Sequence, residues 1–206
     1  MCDRERTADG VPRRDKGVRR ALPWAISVFV VPAVVLCALE GILRMVGYGY
    51  PTSYFRENTF EGKRWVSTND AFMLRFFPYD RAFPPFRVRF EAQKPPNTFR
   101  CFVLGGSTAM GHPSPEGSFW RILSAMLTQR FPSKNIEIIN CANNAINSHV
   151  LVPIAQECAR YSPDLLIVHL GNNEFLGPFG PCEIGGAYPP PLPVIRAELV
   201  IQTTRI

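Results

Sequence analysis

Nineteen consecutive residues without a charge, Ala21 to Leu39 (ALPWAISVFVVPAVVLCAL), limit this 206-residue chain more than any other feature. Wound as a helix, the run is about 28 Å long, close to the thickness of a bilayer's hydrocarbon core. It shows no polar face before Glu40, as a helix buried in a soluble core would. A cleavable leader needs a shorter apolar stretch and small residues before the cut, and Cys37-Ala38-Leu39-Glu40 offers little of either. An uncleaved signal anchor over residues 21–46 fits best. Pro23 falls in the first turn, where its missing N–H costs little, and Pro32 in the middle predicts a kink. Trp24 on one side and Tyr48, Tyr50, Tyr54 and Phe55 on the other bracket the run as interfacial aromatics do. Glu40 and Arg44 are one helical turn apart and positioned to pair.

Charge gives the orientation. The net charge is +6, but residues 1–20 hold seven Lys/Arg against four acids, which leaves sixteen against thirteen elsewhere. A basic tail before an apolar span stays cytoplasmic, so the reading is a single-pass inner-membrane protein with its main domain in the periplasm. No basic block outside the tail resembles a phosphate-binding surface, which speaks against nucleic acid as a partner. The six cysteines include neither a Cys-x-x-Cys pair nor a zinc-ligand spacing. Cys101 and Cys141 sit in apolar strand-like runs and read as buried free thiols. A disulfide among Cys2, Cys37, Cys158 and Cys182 stays open.

Residues 47–98 are rich in proline and aromatics and lack a helical period. Phe72, Phe76, Phe77, Tyr79, Phe83, Phe86 and Phe90 give them burial capacity, so they read as a collar packed on the main domain or the membrane. Phe86–Phe90 alternates with period two, as a half-buried strand does. From residue 99 to 206 the pattern becomes strand (99–104), helix (118–130), strand (135–140), helix (148–161) and strand (164–170), with a further helix starting near Val194. On the first helix Phe119, Leu123, Met126 and Leu127 form the core stripe, with Arg121, Ser124 and Gln129 outside. Pro153 disturbs the second helix unless it lies in the first turn. Such alternation predicts an α/β domain with a parallel sheet between helices, and active sites in these sheets lie at the strands' carboxyl ends.

Those ends hold the informative residues. Strand one runs into Gly105-Gly106-Ser107-Thr108, strand two into Asn140-Cys141-Ala142-Asn143-Asn144-Ala145, and strand three into Gly171-Asn172-Asn173-Glu174. A serine behind two glycines at a strand-to-helix turn presents its hydroxyl with little cover. An asparagine on a neighbouring loop can donate its amide to a developing oxyanion. Singly, each motif is an ordinary turn; the Ser107 loop lacks the lysine and spacing of a P-loop.

Together, VLGGSTAMG resembles block I of the SGNH/GDSL hydrolase superfamily, GNNE resembles its block III, and INCANNAINS is loosely similar to block II. The stretch from Lys94 to Gly180 resembles a membrane-anchored bacterial branch of that superfamily often joined to tetratricopeptide repeats. The resemblance, over residues 70–185, implies a three-layer, flavodoxin-like α/β/α fold. It makes Ser107 the nucleophile, with Asn173 and the backbone N–H of Ala145 as oxyanion donors. Gly105, Gly106, Gly171 and Glu174 would be supporting loop residues. It implies ester hydrolysis or acyl transfer on envelope carbohydrate or lipid esters, and no metal or organic cofactor.

Three positions depart from the pattern. Gly106 and Glu174 stand where the family has an acid and an aspartate. Ala145 stands where it has a glycine, and serves only where the backbone needs no positive φ. No Asp-x-x-His occurs, so the general base is missing; three strands are legible where the fold has about five. The chain reads as truncated and inactive alone. His112 and His149 lie near enough to the strand-end loops to be considered as bases, whereas His169 reads as a buried strand histidine. The alternatives are a non-catalytic envelope docking protein, which the three departures favour, and a plain membrane anchor carrying a degraded fragment. Protein partners are not identifiable from the sequence.

Overall fold

The computed structural model describes residues 24, 26–182 and 190–205. The basic tail, Cys2, Pro23 and residues 183–189 therefore lie outside the described residues. The chain forms two compact units, residues 1–49 with 205–206, and residues 50–204.

The first unit is the apolar helix. A π-helical turn, Ile26–Val30, leads directly into α1, Val31–Met45, with Pro32 in its first turn. The wider π turn accommodates a proline ring and its missing N–H. Ser27–Met45 is long and apolar enough to cross a membrane, and none of it is buried. The expected Glu40–Arg44 pair forms, with Nε 2.6 Å from Oε1.

The second unit contains two three-stranded sheets. In the first, β1 (Phe55–Phe60) and β2 (Lys63–Thr68) form a hairpin and β3 (Arg89–Glu91) pairs with β2, all antiparallel. The two-residue turn Glu61-Gly62 has φ of 51° and 74°. Two positive φ values match the right-handed twist of the flanking strands. The expected strand at 86–90 is thus shifted and shortened to 89–91. The hairpin before it is an element the sequence reading missed.

The second sheet is parallel, in the order β5-β4-β6, from β4 (Thr98–Gly105), β5 (Asn135–Asn140) and β6 (Leu165–His169). Between β4 and β5 lie the single-turn α2 (Ser107–Met110) and α3 (Phe119–Arg130); between β5 and β6 lies α4 (Ser148–Cys158), extended by a 3₁₀ turn to Tyr161. The last helix, α5, is Leu192–Ile201. This is a mixed α/β domain with a three-stranded parallel sheet, as expected, and its strands begin and end within a residue of the predicted limits.

The main core lies on the α4 side. Phe102, Leu104 and Ile139 of the sheet meet Val150, Leu151, Ile154 and Cys158 of α4 and Tyr54, Phe55, Val66, Phe72, Met73 and Phe90 of the preceding segment. The aromatics meet edge to face, for example Phe55 with Phe90 at 5.4 Å and Tyr54 with Phe72 at 5.0 Å. Residues 50–98 therefore contribute to the domain core, although Tyr79 and Phe83, two of the aromatics expected to be buried, are exposed. Two of the proposed interfacial aromatics need correcting: Tyr54 is 0% and Phe55 4% exposed. Both backbone N–H groups are held by the two oxygens of Glu157, at 2.7 and 3.0 Å.

The opposite face is thinly covered. No residue of α3 is buried; Phe119 and Met126 are exposed, while Trp120, Leu123, Ser124 and Leu127 face inward. The expected core stripe is thus rotated, because Trp120, whose indole N–H reaches the Met110 carbonyl at 3.4 Å, sets the helix's orientation. Pro153 lies inside α4 and not in its first turn, and the helix continues through it. Cys37, Cys101, Cys141, Cys158 and Cys182 are free, and burial pushes the Cys101 thiol up to about 11, which keeps it protonated and inert.

Candidate active site

The residues that bring Ser107 to the surface begin with a steric requirement at Gly105. It ends β4 opposite His169, and a Cβ there would lie 2.1 Å from the His169 carbonyl oxygen and 2.6 Å from the Ala109 Cβ. Only glycine lets β4 pass this close to β6 and turn at once into α2. The Gly106 N–H then donates to the same carbonyl at 3.3 Å. Ser107 is the first residue of α2, half-buried, and its own N–H is one of the helix's unclaimed first-turn donors.

The loop after β5 supports this turn from below. Asn140 donates its side-chain amide to the carbonyls of Ala109 and Met110, both at 3.2 Å, and so satisfies the end of α2. Asn143 donates its backbone N–H to Gly105 O at 3.0 Å and its amide to the buried Tyr54 hydroxyl at 3.3 Å. The segment before the parallel sheet is thereby tied to the serine turn.

The loop after β6 closes the site from the side. Gly106, Ser107, Thr108, His169, Leu170, Gly171, Asn172 and Asn173 line one cleft, whose enclosed free volume of about 10 Å³ is near the room one water needs. The Asn173 amide nitrogen lies 3.3 Å from where a Gly106 Cβ would be, and Asn172 donates to the Thr108 hydroxyl at 3.4 Å. Two of the three strand ends therefore meet as expected, with Ser107, Asn173, Gly106 and Gly171 in one place and Gly105 beneath them. Phe175 and Leu176 follow Asn173 and are exposed, giving the loop an apolar surface.

Ala145 and Glu174 do not line the cleft. Ala145 has φ +58°, the left-handed value at which a Cβ is strained, so the alanine occupies a backbone position suited to glycine. Ala145→Gly is expected to raise stability by about 1 kcal/mol, seen as a higher urea midpoint. A lower midpoint, the usual outcome of removing an alanine side chain, would refute the strain. Glu174 caps α4 instead: its carboxylate accepts the Ser148 N–H at 3.0 Å and the Ser148 hydroxyl at 2.8 Å.

One histidine departs from expectation. His169 is exposed and lines the cleft, because β6 is an edge strand of the sheet among the described residues. Its ring lies 6.0 Å from that of Phe119. Strand alternation carried the signal, since His169 shares a face with Ile167, which packs toward α2 and α3. His112 and His149 are not in the cleft lining; the His149 ring sits 5.9 Å from Phe179. The His112 backbone N–H donates to the Ser107 carbonyl at 2.9 Å, but among the described residues no histidine side chain is hydrogen-bonded to the Ser107 hydroxyl, and no three His, Cys, Asp or Glu side chains gather to hold a metal ion. Comparison with family models, curated proteins and solved structures gives no match to this chain.

Proposed function

We propose that this chain carries the SGNH-type nucleophile of a membrane-anchored ester hydrolase or acyltransferase acting on acyl esters of the cell envelope. The observation that carries the reading is the shared cleft of Ser107 and Asn173 at the carboxyl ends of two hydrogen-bonded parallel strands. Ser107 Oγ attacks the acyl carbon, and the carbonyl oxygen becomes an oxyanion that takes hydrogen bonds from the Asn173 amide and the Ser107 N–H. The Ala145 N–H, which the resemblance makes a third donor, is left out of this set because Ala145 has a positive φ and lies outside the cleft lining. Collapse of the intermediate expels the alcohol, and water or a second alcohol then takes the acyl group. The exposed Phe175 and Leu176 favour a substrate with an apolar acyl part. Ser107 needs a partner to take its proton, and the 206 residues contain no Asp-x-x-His to supply it. The apolar helix supports a single-pass anchor, and the basic tail supports an inner-membrane location with the domain in the periplasm.

The test is fluorophosphonate labelling of the protein in its native membrane, with the labelled peptide identified by mass spectrometry. The label is expected on Ser107 and lost in Ser107→Ala. Asn173→Ala is expected to slow labelling by about 10²–10³-fold. A label elsewhere, or one that survives Ser107→Ala, would remove the nucleophile assignment. Absence of any label would favour the second reading, a docking module, which the water-sized cleft supports.

A further inference from the structure

A second cleft, of about 570 Å³, opens between α4 and α5, within the usual size range of ligand sites. Its charge is unbalanced. Arg75, Arg160 and Arg196 line it, with Glu157 the one carboxylate among the lining residues. Glu157 is already committed to the N–H groups of Tyr54 and Phe55. Arg75 forms the back wall, donating to the carbonyls of Thr52 and Leu199 at 3.0 and 3.1 Å, with its buried Nε unpartnered. Burial lowers this guanidinium from its usual value, and Glu157 pulls it back up. Arg160 and Arg196 are exposed, and neither forms an ion pair with a described residue. Beside them Val152 and Val200 are 51% and 68% exposed, so an apolar surface adjoins the cationic one.

Two unpaired guanidinium forks facing one cleft suit a phosphate or carboxylate, which each can grip through two parallel N–H donors. The adjoining valines have no role in holding such an anion and instead suit a hydrocarbon chain. We infer that the α4–α5 cleft binds the oxyanion headgroup of an amphiphile, with Arg160 and Arg196 on the anion and the hydrocarbon over Val152 and Val200. The site is independent of the Ser107 reading. Its two sources share one chemistry, a phosphate monoester, free or carried by a lipid.

Native mass spectrometry of the whole chain in neutral-detergent micelles separates these sources. Phosphatidic acid is expected to be retained about tenfold more than phosphatidylcholine, and Arg160→Gln with Arg196→Gln is expected to abolish the preference. Arg160→Lys with Arg196→Lys is expected to keep most of it, and Ser107→Ala all of it. A preference that survives the double glutamine variant would place the lipid elsewhere, for instance on the basic tail, and overturn the assignment. Displacement of phosphatidic acid by an equal concentration of inorganic phosphate would overturn the amphiphile part. Both arginines are exposed, so an unchanged unfolding midpoint is expected to show that the variants fold.

Discussion

Replacing Arg100 with methionine is expected to destabilise the domain by about 3–4 kcal/mol, read as a lower urea midpoint in the fluorescence of Trp65 and Trp120. Arg100 is fully buried near the start of β4. Its Nε donates to Glu137 at 2.7 Å, its two terminal nitrogens donate to the carbonyls of Tyr161 and Glu91 at 3.0 and 2.9 Å, and the guanidinium lies 5.1 Å from the centre of the Phe90 ring. These partners come from β5, the end of α4 and β3, so one side chain joins both sheets to a helix. Methionine fills most of the volume but leaves a carboxylate and two carbonyls without a donor. The Glu137 side chain is 21% exposed and recovers some hydration, which holds the loss near the lower end of the range for a broken buried pair. Adding Glu137→Leu is expected to restore part of the loss, since it removes the stranded charge but not the stranded carbonyls. A loss below about 1 kcal/mol would show that the network is no stronger than a surface ion pair.

Gly105→Ala is expected to cost about 3 kcal/mol and to eliminate Ser107 labelling. The new methyl carbon would fall 2.1 Å from the His169 carbonyl oxygen, a backbone atom that cannot swing aside. Relief requires β4 and β6 to part where Gly106 N–H meets that carbonyl, and this junction forms the cleft floor. Gly106→Ala is the control. Its methyl would lie 3.3 Å from the Asn173 amide, the far end of a side chain, so it should disturb the cleft while leaving the urea midpoint within about 1 kcal/mol. Equal unfolding of the two variants would show that crowding at the β4–β6 junction is not the cause.

The parallel sheet was legible because its strands are short apolar runs, each followed by small polar residues, and such runs have few other uses. The Ser107 and Asn173 loops were legible for the same reason. Orientation was less so. The stripe on α3 was misjudged because Trp120, a large side chain with a polar atom, turns inward with its indole N–H on the Met110 carbonyl, eight residues before the expected start of the helix. Tyr54 and Phe55 were misassigned because an aromatic near an apolar helix looks alike whether it faces lipid or a core. What decides between them is Glu157, about a hundred residues away, which no local pattern reveals. The Glu61-Gly62 turn went unseen because glutamate is an uncommon residue at a left-handed position. Ala145 shows the limit from the other side, since its residue type argued against the conformation it adopts.

The bond from Glu174 to Ser148 has a mechanical consequence. On the proposed reading an ester must lie against Ser107 beside the Asn173 loop, which forms one wall of the cleft. That wall is latched, through the next residue, to the first turn of α4. Moving it therefore means tilting or releasing an eleven-residue helix whose inner side is set in the core. Any movement of this loop is geared to the helix, and its ease should follow the strength of a carboxylate–serine latch rather than the slackness of a surface loop.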